Sequence, residues 1–128
     1  MISKDKLVVM LELQDKLNQV VNPDWLNAGY PWHRAILVET IEAMDHYGWK
    51  WWKAQAPNVA QARMELVDIW HFMLSMALEN AHGDHAKAAA TIEAIFYDPE
   101  TPTDKDTLVL FDLLADRKST RLNSSHRL

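Results

Sequence analysis

The chain has no cysteine among its 128 residues, so neither a disulfide framework nor a thiolate metal site is available to it. It also lacks a long apolar run at its start: Lys4, Lys6, Glu12, Asp15 and Lys16 interrupt the first stretch, which excludes a signal peptide or membrane span there. The cytoplasm is the expected compartment, with no membrane partner. Positive charge is scarce over most of the length. All 18 acidic residues precede Arg117, whereas Arg117, Lys118, Arg121 and Arg127 fall in the last twelve positions. Residues 1–116 thus set nine basic against 18 acidic residues, a formal charge of −9. Such a body is unsuited to clamping nucleic acid, and no nucleic-acid partner is expected. No segment alternates as a strand would.

What remains is helical. Hydrophobic content of 48% and charged content of 24% describe one globular domain. After Ser3, a natural N-cap, Lys4–Val21 repeats apolar residues at Leu7, Met10, Leu11, Leu13, Leu17, Val20 and Val21, the spacing of a helix. Asn22-Pro23-Asp24-Trp25-Leu26 starts a short turn, with Pro in the first helical position, and Asn27–Tyr30 breaks it. Pro31 opens a helix that Gly48 ends. After a polar loop, Ala54–Asn58, a long helix from Asn58 to about Ala81 is apolar nearly all round and is expected to be largely buried. Gly83 ends it. Asp84–Tyr97 reads as an Ala-rich helix with Ala88, Ala89, Ile92, Ile95 and Phe96 for packing, 98–103 as a Pro-broken loop, and Asp104–Asp116 as a last helix.

Two of these helices carry the same device. Glu39 and Glu42 lie three apart in an apolar run, and so do Glu65 and Asp68. On a helix that spacing puts both carboxylates of a pair on one face, about one turn apart. No Lys or Arg stands three or four positions from any of the four, so local salt bridges cannot account for them. Drawn together between helices, the four would raise one another's pKa values unless something cationic sat among them. A hard divalent cation with oxygen ligands, Mg2+ in the first instance and Mn2+ in the second, resolves this. One acid pair alone would more simply line a solvated face; two pairs without basic neighbours favour the metal.

Other residues admit two readings each. Gln14 and Asn18, four apart on the first helix, are either surface polarity or an amide pair able to read the edge of a nucleobase. Asp45 and His46 follow Glu42 by one turn; the histidine could support a ligand or simply complement the helix dipole. His71 reads as a satisfied histidine rather than a ligand. Trp49-Lys50-Trp51-Trp52-Lys53 can supply core indoles, or ring faces and ammonium groups for a nucleotide.

These residues, in order, resemble a known family. The paired Glu39-x-x-Glu42 and Glu65-x-x-Asp68 are similar to the metal motif of the all-α nucleoside triphosphate pyrophosphatases, which include the MazG-like enzymes and the dimeric dUTPases. The likeness to the dimeric dUTPases runs from Leu11–Asn18 through Asn22–Trp25 and Asp45–Lys53 to Glu65–Phe72. It implies an all-α antiparallel bundle of about five to six helices, a homodimer, and Mg2+-dependent hydrolysis of dUTP to dUMP and pyrophosphate. By position it implies that Glu39, Glu42, Glu65 and Asp68 hold metal, that Gln14 and Asn18 face uracil, and that Trp51 and Lys53 bind nucleotide, with Glu39 also taking a proton as catalytic base.

The chain departs from that family toward its end. The Asn, Lys and Tyr motif that closes over sugar and phosphates is missing, which implies impaired hydrolysis. Residues 117–128 are basic and Ser-rich and resemble translated sequencing-adapter read-through, so the domain is expected to be 1–116 with a non-native, disordered tail. A MazG-like pyrophosphatase with another triphosphate as substrate, or a non-catalytic helical dimerisation module, are the rival readings.

Overall fold

The computed structural model describes residues 2–97. Within them the chain is all-α: α1 (Lys4–Val21), a short 3-10 turn (Trp25–Asn27), α2 (Trp32–His46), α3 (Val59–Asn80) and α4 (His85–Tyr97), with no strand. The described helices are fewer than the five to six expected. The loop at 98–103, the helix expected over Asp104–Asp116 and the tail at 117–128 lie outside the described residues.

Each boundary has a local cause. The Ser3 side chain accepts the Lys6 amide at the start of α1, and Asn22, in extended conformation, ends it. Asn22 Oδ1 then accepts the Asp24 amide at 3.0 Å, turning the chain into the 3-10 turn that buries Trp25. The amides of Arg34 and Ala35 bond back to the Pro31 carbonyl, so Pro31 sets the start of α2. Gly48 ends that segment at φ 67°, and a Cβ there would meet Gln55 Cβ at 2.9 Å, so both backbone and space demand glycine. Asn58 Oδ1 accepts the Gln61 amide at 3.1 Å and caps α3.

The other end of α3 differs in detail from the expected glycine stop. The left-handed residue is His82, at φ 52°, one position before Gly83 at φ 83°. The Gly83 amide reaches the Leu78 carbonyl at 2.9 Å and the His82 amide reaches Glu79 at 3.1 Å, a Schellman closure with histidine where glycine is usual.

The described residues form two compact units, residues 2–35 with 70–97, and residues 36–69. In the first, Leu7 and Leu11 of α1, Trp25, Leu74, Ala77 and Leu78 of α3, Ala81 just after it, and Ala88, Ala89 and Ile92 of α4 make one buried cluster. Each fully buried leucine there contributes about 1.5–3 kcal/mol. A polar tie accompanies it. Asp15 accepts the Trp25 indole N–H at 3.0 Å and lies 2.9 Å from His85 Nε2 on α4. Burial would raise the Asp15 carboxyl, but hydrogen bonds from His85, Gln19 and Trp25, with the His85 charge, hold it below its ordinary value. The second unit has a small core of Ala43, Tyr47 and Ala62 with Leu66 packed against it.

The expectation that α3 is largely buried is corrected. Met64 is 55% and Val67 46% exposed, and Ile95 of α4, expected to pack, is also exposed. Apolarity marks which surface would gain from burial; it does not supply the neighbour that covers it. The same holds for Leu37, Ile41 and Met44, a stripe along α2, and for Leu13, Leu17 and Val20 on α1.

A non-glycine residue in the left-handed region costs about 1–2 kcal/mol. His82 is exposed and carries that cost at the end of α3. His82→Gly is therefore expected to stabilise the protein by about 0.5–1 kcal/mol, measured by urea denaturation, with the extra chain entropy of glycine limiting the gain.

Candidate metal centre

In residues 36–69, two alanines set how closely α2 and α3 approach. Ala43 and Ala62 are fully buried, and small side chains at a helix contact permit short interaxial distances. The Asn58 amide bonds the His46 carbonyl at 2.6 Å, tying the start of α3 to the end of α2. The outcome is that Glu39, Glu42 and Glu65 each offer a carboxylate oxygen, all within 4.8 Å of one another. Asp68 stands outside this trio, near enough for its charge to act on Glu39.

The three carboxylates are not equivalent. Glu65 is buried; its Oε1 accepts Gln61 Nε2 at 2.9 Å and lies 3.3 Å from His46 Nε2. Glu42 is exposed. Glu39 has a buried Oε2 that accepts no hydrogen bond. Its carboxyl is pushed up to about 8, first because its proton forms a hydrogen bond to Glu65, then by burial and by the charges of Glu42, Glu65 and Asp68. Glu65 is held below its ordinary value by that same hydrogen bond from Glu39, and by Gln61 and His46. One proton, held by Glu39 and bonded to Glu65, thus relieves much of the repulsion within the cluster. No Lys or Arg pairs with any of these carboxylates among the described residues.

An orphaned buried oxygen beside two further carboxylates is a donor set of hard oxygens, and it fits a divalent cation of the Mg2+ type. His46 is accounted for by its contact with Glu65, which orients that carboxylate. Gln61 was not anticipated. Its only mark in the sequence is an amide four residues before an acid, on the same helix face.

The amides of α1 are engaged rather than free. Gln14 is buried; its Nε2 donates to Asn18 Oδ1 at 2.9 Å, Asn18 Nδ2 donates to Ser75 Oγ at 2.9 Å, and Ser75 donates to the His71 carbonyl at 2.9 Å. His71 Nδ1 closes the ring on Gln14 Oε1. Gln14 and His71 also line a cleft of about 300 Å³ with Met10, Leu13, Leu17, Trp70 and Leu74. Ser75, unmarked in the sequence as a lone serine within an apolar helix, is 1% exposed. His71 is a hydrogen-bonded histidine, as anticipated.

Trp51 and Lys53 line a second hollow, of about 410 Å³, with Trp52, Ala54 and Gln55. Trp51 and Trp52 pack edge to face at 4.6 Å between ring centroids. Lys50 is occupied by Asp45 at 3.5 Å, while Lys53 makes no ion pair among the described residues. Gln14 and Asn18 belong to the first compact unit, and the carboxylates, Trp51 and Lys53 to the second.

A family model described as dUTPase matches residues 6–122. The chain belongs to the dUTPase family. No curated protein matches it. The dUTPase match spans both acid pairs, the α1 amides and the Trp and Lys segment, and membership supports hydrolysis of dUTP as the general activity. Among the described residues of this dUTPase-family chain, no helix is long and apolar enough to cross a membrane.

The proton on Glu39 makes stability depend on pH. Its folded pKa of about 8 exceeds the ordinary 4.5, so its contribution is complete below pH 4.5 and is lost as pH rises through 8. Glu65, depressed below 4.5, works in the opposite sense only under that pH. The Tm of metal-free protein is therefore expected to fall between pH 5 and about 8 on this account. Glu39→Gln should flatten that fall, and thermal melts of both proteins across the range measure it.

Proposed function

We propose that this chain hydrolyses dUTP to dUMP and pyrophosphate, with Mg2+ held by Glu39, Glu42, Glu65 and Asp68. The observation that carries the reading is the trio of carboxylate oxygens within 4.8 Å, with no Lys or Arg paired with them among the described residues. When bound, such an ion neutralises phosphate charge and acidifies a water molecule. Glu39, whose buried Oε2 accepts no hydrogen bond, takes the proton of the attacking water on this reading. His46 and Gln61 hold Glu65 in place for its role as ligand.

On this reading Gln14 and Asn18 meet the base, and Trp51 and Lys53 meet the rest of the nucleotide. Gln14, within the ring it shares with Asn18, presents amide groups to uracil from the cleft it lines. Trp51 supplies a ring face, and Lys53, without an ion pair among the described residues, supplies a cation for a phosphate. The exposed apolar stripe Leu37, Ile41 and Met44, with Met64 and Val67, favours a homodimer in which a second copy covers it.

Pyrophosphate release from a panel of deoxynucleotides, with and without Mg2+, tests the activity. The expected result is Mg2+-dependent release from dUTP in preference to dTTP and dCTP. His46→Ala is expected to lower kcat/KM about 10–100-fold, the usual effect of removing a group that orients a metal ligand. Preference for dUTP that survives Gln14→Ala would remove the uracil assignment. Release from another triphosphate instead of dUTP would favour a MazG-like specificity. Mg2+ that leaves Tm unmoved at millimolar concentration would reduce the chain to a helical module.

A further inference from the structure

The hydrogen-bonded ring between α1 and α3 has a direction, and one hydroxyl sets it. Ser75 Oγ has a single hydrogen, which it gives to the carbonyl of His71 four residues earlier, at 2.9 Å. The same oxygen can then only accept from Asn18, so the Asn18 nitrogen faces Ser75 and its Oδ1 faces Gln14. Gln14 must in turn place its nitrogen toward Asn18 and its Oε1 toward His71, whose Nδ1 must carry the hydrogen. Every amide and the imidazole tautomer follow from that one donation.

The Gln14 carboxamide uses one of two N–H groups and one of two lone pairs in the ring. One donor and one acceptor remain, in a fixed order, on a residue that lines the cleft with His71 and Trp70. A base with an O=C–N–H edge meets that order with both bonds made. A base with an amidine edge, such as cytosine, meets donor with donor and acceptor with acceptor in the same pose, and would require the amide to turn over. Turning it would break its bonds to both Asn18 and His71.

We infer that Ser75 is a positioning residue that, through Asn18 and His71, holds Gln14 in one amide orientation and so makes the cleft select imide-edged over amidine-edged pyrimidines. The inference rests on the proposed function, in which Gln14 meets the base. Ser75 acts at a distance, being 1% exposed and buried within α3.

Binding of dUMP and dCMP in the presence of Mg2+, measured by calorimetry on the full chain, tests this without reliance on turnover. For Ser75→Ala the dUMP/dCMP affinity ratio should fall by about tenfold or more, since a site loses discrimination once its polar groups can rearrange to satisfy the wrong partner. Because loss of a buried hydroxyl also costs stability, the isosteric pair Ser75→Thr and Ser75→Val is measured alongside. Threonine keeps the donor and should retain the ratio, whereas valine should lose it. A general loss of affinity with the ratio intact in both Ser75→Ala and Ser75→Val overturns the positioning role. If the wild-type chain binds the two monophosphates equally, the uracil reading fails together with this inference; if the wild type discriminates and the variants do so equally well, only the inference fails.

Discussion

Three carboxylates within reach of one another, with His46 against one of them and no Lys or Arg paired with any among the described residues, repel one another unless a proton or a metal cation joins them. That constraint organises residues 36–69. It makes Glu39 keep its proton to about pH 8, and it makes Glu65 the acceptor of hydrogens from Glu39, Gln61 and His46. Helix packing creates the problem as well as the site. Ala43 and Ala62 are buried to 0% exposure, and their small side chains let the two acid-bearing helices approach. The backbone bond from Asn58 to His46 and the left-handed Gly48 complete a connection short enough to hold them. A proton satisfies the cluster up to about pH 8; a divalent cation would satisfy it in the proton's place, and the two compete for the same oxygens.

The polar ring in the other unit meets a different constraint by different means. Gln14 and Ser75 are buried, and a buried polar group without a partner costs about 1–3 kcal/mol. The ring satisfies each member with its neighbour, leaving Gln14 one donor and one acceptor for the cleft. Being satisfied does not disqualify an amide from recognition. It fixes which atom faces which way, and fixed polar groups discriminate better than free ones.

Much of the fold was legible because its signals are local. The bounds of α1, the caps at Ser3 and Asn58 and the stops at Asn22 and Gly48 depend on residues within one turn of each boundary. The end of α3 was legible only to within a residue, since the Schellman closure puts His82 at positive φ one position before Gly83, where an added Cβ would meet Leu26 at 3.1 Å. Burial was the least legible. An all-round apolar α3 looked like a core helix, yet Met64 and Val67 lie open in the single chain, because periodicity reports the chemistry of a face and not its neighbours. For the same reason Gln14 and Asn18 could be marked as an amide pair, while their partners His71 and Ser75, 57 residues further on, could not.

By itself the sequence determined the helices, the pairing of acids on one face of each, and the absence of Lys or Arg three or four positions from them, since helical periodicity and charge spacing act over a few residues. Its ordered motifs determined the family. Tertiary structure alone decided that Glu39, Glu42 and Glu65 converge while Asp68 stands just outside, that Glu39 rather than another acid keeps the proton, and that a serine directs the amides of α1. Those outcomes turn on distances between helices and on the burial of single oxygen atoms, and neither quantity is set by residues close together in the chain.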